Sequence, residues 1–285
     1  MANRGERARI AAETVAITRT GTYAAPSGRV VSIADDVRAA IDASVLITPG
    51  EAVGLRGRAD AILASREPRR TTFDVRNETT FAAARRLHDE YGARAVAALN
   101  FASAKNPGGG FLSGSQAQEE SLARTSALVA TLERHMGYYE ANRKSPSLLY
   151  TDHTIVSPRV PVFRDDADRL LEHPWNVTII TSPAPNAGAI AKNNSAVRQQ
   201  IVPTFRRRIE QVLSAAVVFD QASLVLGAWG CGVFGNDPAT VAGLFGDFLL
   251  HDGPFAAAFE HVAFAVLDRS GDTIGPFMNA FGAAA

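Results

Sequence analysis

Two adjacent carboxylates, Glu119 and Glu120, follow three consecutive glycines, Gly108, Gly109 and Gly110, across a short spacer. A carboxyl group beside an anomeric bond can protonate a leaving sugar oxygen and then take a proton from water, which is the acid/base chemistry of glycoside cleavage. Glycines without a Cβ let backbone N–H groups come close to a phosphate and open the region of positive φ. A helix is expected to begin just downstream, where unpaired N–H groups favour anions. The run Asn106-Pro-Gly-Gly-Gly-Phe-Leu-Ser-Gly-Ser-Gln-Ala-Gln-Glu-Glu120 therefore reads as a loop that cradles a phosphate or diphosphate near a carboxyl pair. Each part also has a plainer reading. Three glycines can be a flexible turn, and acidic residues in a first helical turn are stabilising by about 0.3–1 kcal/mol. The helix N-terminus also favours the carboxylate, whereas a general acid must arrive protonated; a bound diphosphate would push the other way.

A second glycine-rich stretch, Gly227-Ala-Trp-Gly-Cys-Gly-Val-Phe-Gly-Asn236, lies between an expected strand and an expected helix. It lacks the Lys-Ser/Thr ending of a P-loop and the spacing of a dinucleotide fingerprint. Two such loops at one sheet edge could clamp a diphosphate from both sides, because ligands in open α/β sheets collect at the carboxyl ends of strands. Phe234 could stack on a sugar or base, or plug the core. Cys231 reads as a small residue in a tight turn, since no histidine is placed to activate a thiol. The six histidines are scattered and no Cys/His group has zinc spacing, so neither a metal nor a cofactor is expected.

Elements must hold these loops in place. Thr72–Arg76, Ala95–Phe101, Ser147–Tyr150, Thr154–Val156, Val177–Thr181, Ser223–Gly227 and Val262–Leu267 have the look of strands. Helical patterns cover Thr80–Tyr91, about Glu119 to Asn142, Ser195–Leu213 and Asp237–Leu250. Pro238 is well placed in a first turn. Alternation of the two kinds predicts an α/β fold, a mixed or parallel sheet sandwiched between helices. Residues 1–70 are Ala-rich with helical spacing at Arg7–Ile17, Ala34–Ser44 and Gly50–Ser65, and read as a helical segment packed on a core domain of residues 71–285.

With 285 residues the chain can bury a sizeable core. Its 29 basic and 29 acidic residues balance, which argues against a general grip on DNA or RNA. One cysteine allows no internal disulfide, no apolar run reaches the roughly 18 residues of a membrane span, and the N-terminus lacks an apolar signal core. A cytoplasmic, soluble protein without membrane association is expected, with a monomer as the default.

The glycine triplet, the spacer Phe111–Ala117 and Gln118-Glu119-Glu120 together resemble the signature of poly(ADP-ribose) glycohydrolases. The lead-in Asn106-Pro107 and the Gly-Cys-Gly-x-Phe-Gly pattern at Gly230, Cys231, Gly232, Val233, Phe234 and Gly235 are similar to the bacterial-type branch, over roughly Thr71 to Asp268. The resemblance implies a macrodomain fold that binds ADP-ribose and hydrolyses the ribose–ribose bonds of poly(ADP-ribose), including polymer on ADP-ribosylated proteins. It implies that Glu120 is the acid/base and that Glu119 hydrogen-bonds the reacting ribose. It places Gly108–Gly110 on one side of the diphosphate and Gly230–Gly235 on the other, with Phe234 near the terminal ribose. Asn106 and Gln118 join the substrate-binding set, although Ser103 or Asn106 could fill the place of the ribose-holding asparagine of animal members. An adenine-stacking tyrosine of those members has no clear counterpart. Two other readings stay open: a macrodomain that binds ADP-ribose without cleaving it, against which the glutamate pair argues, and a hydrolase of mono-ADP-ribosyl groups.

Overall fold

The computed structural model describes residues 2–92, 95–193 and 195–282. The chain opens on helix α1 (Arg4–Thr20), capped by the Asn3 side chain on Glu6 N–H and closed by Gly21 at φ 72°. A two-stranded hairpin, β1 (Thr22–Ala24) with β2 (Val30–Ser32), leads to α2 (Ala34–Ala43). Strand β3 (Val45–Ile47) and helix α3 (Pro49–Ala64) follow. Thr48 and Glu51 form a reciprocal capping box at the start of α3, with Pro49 in its first turn.

Strand β4 (Thr72–Arg76), helix α4 (Thr80–Tyr91) and strand β5 (Val96–Phe101) come next. Three short helices, α5 (Gln118–Thr125), α6 (Leu128–Glu133) and α7 (Met136–Lys144), precede the long ribbon of β6 (Thr154–Arg164) and β7 (Leu170–Ser182). The chain ends through α8 (Ala187–Asn193), α9 (Ile201–Val218), β8 (Ser223–Leu226), α10 (Pro238–Leu249), β9 (His261–Ala265) and α11 (Ile274–Phe281).

Among the described residues, seven strands form the main sheet in the order β3-β6-β7-β5-β8-β9-β4. The pairs β7–β5, β5–β8, β8–β9 and β9–β4 are parallel; β3–β6 and β6–β7 are antiparallel. The sheet is therefore mixed and lies between two helical layers, as alternating strand and helix patterns predict. Period-2 alternation divides each buried strand between the layers. Ala97 and Leu99 of β5, Leu224 and Leu226 of β8, and Val262 and Phe264 of β9 face α3, α9, α10 and α11. Val96, Ala98, Val225 and Ala263 face the other layer, which contains α2, α4, α5, α6 and α7.

Several local expectations change. The stretch expected as one helix from Glu119 to Asn142 is three helices. Ser126 is extended (φ −144°, ψ 175°), its hydroxyl donates to Leu122 O at 2.6 Å, and it bridges to Val162 of β6. The second break falls at His135, with φ −114° and ψ 49°. Ser147–Tyr150 is a turn rather than a strand: Tyr150 has φ 62° and its N–H donates to Ser147 O, while Leu149 O accepts from the buried Arg208 guanidinium at 2.7 Å. Strands β6 and β7 run far beyond the short apolar pieces visible in sequence: β6 continues past the irregularity between Ser157 and Val160 into a second buried stretch, Val160–Phe163, that pairs with the outer half of β7. The N-terminal segment contributes β3 to the sheet edge as well as helices, and α11 packs Ile274, Phe277 and Phe281 into the core near the chain end. Among the described residues no helix is long and apolar enough to cross a membrane.

Candidate active site

Strands β5, β7 and β8 are neighbours and parallel, so the segments that leave their carboxyl ends emerge at one edge of the sheet. The loop after β5 carries the glycine triplet and returns into α5 with the glutamates. Asn100, next to last in β5, shares the parity of Ala98 and turns its fully buried side chain toward α5. Its Nδ2 donates to Glu119 Oε1 and to Thr181 Oγ1 of β7, each at 3.2 Å. Ser103 N–H donates to Glu119 Oε2 at 2.6 Å. Glu119 is only 3% exposed. Burial above all pushes its carboxyl up to about 8; the Ser103 and Asn100 hydrogen bonds pull it back, and the neighbouring Glu120 charge raises it further.

Glu120 is half-buried, and its Oε1 accepts from Gly110 N–H at 3.0 Å. Gly108 and Gly109 have φ of 70° and 61°, a region that favours glycine. A Cβ on Gly109 would overlap Glu120 Oε1, one on Gly108 would lie 2.8 Å from Val129, and one on Gly110 would lie 2.6 Å from Ser115 Oγ. All three glycines thus have a reason inside the protein for lacking a side chain: Gly109 lies against the α5 glutamates, Gly108 against Val129 of α6, and Gly110 against Ser115 of the loop itself. The exposed Asn106 closes the turn, its carbonyl accepting from Gly109 N–H at 3.0 Å. Gln118 stitches α5 to the end of β5. Its Oε1 accepts from Phe101 N–H at 2.9 Å, and its Nε2 donates to Leu99 O at 2.7 Å and Thr80 Oγ1 at 3.1 Å.

In the loop after β8, Gly230 (φ 74°) and Gly235 (φ 64°) make the turns. Asn236 Nδ2 donates to Gly230 O at 3.0 Å and to Pro185 O at 2.8 Å, tying this loop to the segment that leaves β7. Gly188 N–H, in the first turn of α8, donates to Phe234 O at 2.8 Å. Phe234 is half-buried beside Tyr150, with ring centroids 6.0 Å apart and planes tilted 39°. Gly232 differs from its neighbours, because a Cβ there would meet no atom within 4 Å. Val233 beside it is 89% exposed. The Cys231 thiol is pushed up to about 12 by burial, which keeps it protonated and unsuited to nucleophilic attack. No group of three or more His, Cys, Asp or Glu among the described residues could hold a metal ion.

Asn106, Gly108–Gly110, Gln118, Glu119 and Glu120 thus form one hydrogen-bonded unit, and Gly230–Gly235 form a second at the same sheet edge. Asn100 and Thr181 escaped the sequence reading. Their available signal was a polar side chain inside an apolar strand, a position that burial makes costly without a partner. The N-terminal helix also reaches the first loop, where Arg4 Nε donates to Ser113 O at 3.0 Å and Arg7 Nε to Gly114 O at 2.8 Å. A Cβ on Gly114 would overlap Arg4 O.

The sheet is the centre of an α/β/α sandwich with a carboxyl pair and two glycine loops at the carboxyl ends of its central strands, an arrangement suited to a glycosidic hydrolase. The family model for the microbial-type PARG catalytic domain matches residues 11–165. Poly(ADP-ribose) glycohydrolase from Thermomonospora curvata is 48% identical, covering 99% of this chain and 100% of its own, with a TM-score of 0.88; a second structure of it holds the inhibitor ADP-HPD. The enzyme from Deinococcus radiodurans, in complex with ADP-ribose, is 49% identical over 90% of this chain and 100% of its own, with a TM-score of 0.82. Comparison with curated proteins gives no match. The chain belongs to the family of microbial-type poly(ADP-ribose) glycohydrolases.

Proposed function

We propose that this chain hydrolyses the ribose–ribose O-glycosidic bonds of poly(ADP-ribose) and releases ADP-ribose, with Glu120 as general acid/base. Family membership and 48–49% identity to glycohydrolases, one of them in complex with ADP-ribose, support the activity and the ligand. The observation that carries the residue roles is the junction of Gly109, Gly110 and Glu120. A half-buried carboxylate is held by a backbone N–H at 3.0 Å in a loop that leaves no room for a side chain beside it.

On this reading the Glu120 carboxyl gives its proton to the leaving ribose oxygen as the glycosidic bond breaks. The carboxylate then takes a proton from the water that adds to the oxocarbenium-like carbon, and Glu120 regains its starting state. Glu119 is suited to a different task. Its buried carboxyl keeps a proton near neutral pH and can hydrogen-bond a ribose hydroxyl, with Asn100 and Ser103 fixing its direction. Gly108–Gly110 with Asn106 and Gln118, and Gly230–Gly235 with Phe234, flank the ADP-ribose. Residues 1–70 brace the first loop of a catalytic unit of residues 71–285, a bracing role supported by the contacts of Arg4 and Arg7. Polymer carried on ADP-ribosylated proteins is the proposed substrate of a cytoplasmic monomer.

The test is digestion of labelled poly(ADP-ribose) with products resolved by size, for the wild-type chain and Glu120→Gln. Wild type should yield ADP-ribose. The variant should lose at least ~10²-fold in rate, the scale of acid/base catalysis, while calorimetry still detects ADP-ribose binding. A Glu120→Gln protein that digests the polymer at the wild-type rate would overturn the mechanism.

A further inference from the structure

A buried arginine one helical turn after Glu120 gathers the catalytic loop, the catalytic helix and a distant hairpin on one guanidinium. Arg124 is 3% exposed. Its Nε donates to Asp168 Oδ1 at 2.9 Å, and its Nη2 to Gln116 Oε1 at 2.9 Å. Its Nη1 lies 3.3 Å from Glu120 O and 3.5 Å from Ser115 O. Asp168 sits at the β6–β7 turn with φ 63°, and only 9% of its side chain is exposed.

We infer that Arg124 is a positioning residue for the glycosidic reaction, setting where the Glu120 carboxylate stands by fixing the return of the glycine loop into α5. This rests on the role proposed for Glu120. The connection is short. Arg124 reaches Ser115 O, Ser115 N–H donates to Gly110 O at 3.2 Å, and Gly110 N–H donates to Glu120 Oε1 at 3.0 Å. The guanidinium holds the far end of the chain segment whose near end holds the carboxylate. Asp168 supplies the countercharge, since a cation this deeply buried is costly without one. A second arginine secures the same junction. The buried Arg164 donates from Nη1 to Asp168 O at 2.9 Å and from Nε to Thr14 Oγ1 of α1 at 3.1 Å. Thr14 Oγ1 in turn donates to Arg124 O at 2.6 Å. Helix α1, helix α5 and the β6–β7 turn therefore meet on two guanidinium groups behind the glutamates.

Any buried guanidinium needs acceptors for its five N–H donors, so it is the location of the acceptors that bears on the role. Of Arg124's four acceptors, three belong to residues 115–120, the return of the glycine loop into the helix that carries Glu120. Lysine cannot reproduce that planar fork from one ammonium. A shift of about 1 Å in a reacting group can cost around 100-fold in rate, so a looser loop is expected to appear in turnover.

The experiment compares Arg124→Lys, Asp168→Asn and Gln116→Ala with wild type and Glu120→Gln, measuring kcat and KM on poly(ADP-ribose), ADP-ribose Kd by calorimetry and melting temperature. Gln116 is exposed, so its variant should fold even if the buried changes do not. The expected result is a kcat at least tenfold lower for Arg124→Lys and severalfold lower for Gln116→Ala, with KM and Kd within about threefold of wild type. Asp168→Asn should lower kcat in the same direction and add little to Arg124→Lys in the double variant. Wild-type kcat per folded molecule in Gln116→Ala and in whichever buried variants fold would overturn the inference, as would losses that follow melting temperature and Kd together. Glu120→Gln separates the two readings. If it is inactive while Arg124→Lys and Gln116→Ala are fully active, only the positioning role fails; if it is fully active, the proposed mechanism fails first.

Discussion

Glu120 Oε1 occupies the space that a Cβ on Gly109 would fill. The same oxygen accepts from Gly110 N–H, so one residue of the triplet makes room for the carboxylate and the next orients it. The glycine run and the acidic pair are therefore one structural unit rather than two motifs that happen to be adjacent.

This leads to opposite expectations for two glycines. Gly109→Ala puts a methyl group into the carboxylate and holds a non-glycine residue at φ 61°, a conformation that costs roughly 1–2 kcal/mol. Turnover should fall by about 100-fold from displacement of Glu120, with a lower melting temperature. Gly232→Ala meets nothing in the protein and should melt as wild type does. If backbone at Gly232 approaches the diphosphate, the same variant should bind ADP-ribose at least tenfold more weakly, about 1.4 kcal/mol. Calorimetry on both proteins decides the matter, and unchanged affinity in Gly232→Ala would place the diphosphate elsewhere.

Burial of Glu119 should be visible in the pH dependence of stability. Its folded pKa, about 8, lies above its ordinary value of 4.5, so the native state keeps a proton that the unfolded chain has released. The native state is then favoured at low pH, and this contribution is lost as pH rises from about 4.5 through about 8. Glu119→Gln has no such proton to lose. Its melting temperature should rise relative to wild type as pH goes from 5 to 9, by an amount corresponding to at most a few kcal/mol. Parallel melting curves for the two proteins across that range would mean that Glu119 titrates as an ordinary carboxyl.

Phe234 packs half-buried against Tyr150 while its carbonyl holds the start of α8. Phe234→Ala keeps that backbone hydrogen bond and removes only the ring. If the ring positions the terminal ribose, kcat should fall more than ADP-ribose affinity does, by roughly tenfold to 100-fold. If the ring is chiefly packing, melting temperature should drop while activity per folded molecule is kept. Both assays on one preparation distinguish the outcomes.

The central strands and the two glycine loops were legible along the chain because their signals are local. Val96–Phe101 is apolar and short, Thr80–Tyr91 has its cap residue Thr79 and its terminating Gly92, and Asp237 with Pro238 starts α10. Local patterning also exposed Gly108–Gly110 with Glu119 and Glu120. It could not expose the breaks at Ser126 and His135, since Ser126 leaves the helix to bridge β6, a strand 28 residues further on at its Thr154 start. Nor could it reveal α11, where the N-cap Thr273 makes no side-chain cap and the first N–H groups are instead taken by the Asp268 carboxylate earlier in the chain.

By itself, the sequence determined which side chains could carry the chemistry, that they follow strands, and that strands alternate with helices, because hydrophobic period and glycine conformational freedom act between neighbours in the chain. Only the tertiary structure decided which glutamate is buried. Glu119 and Glu120 are adjacent in sequence, yet Glu119 turns under the sheet edge to Asn100 and Ser103 while Glu120 turns to Gly110. Their different environments arise from strand parity at Asn100, from the fold of the glycine loop, and from the arginines that brace it. Each is a contact between residues distant in the chain, and desolvation depends on everything packed around a group rather than on its neighbours in sequence.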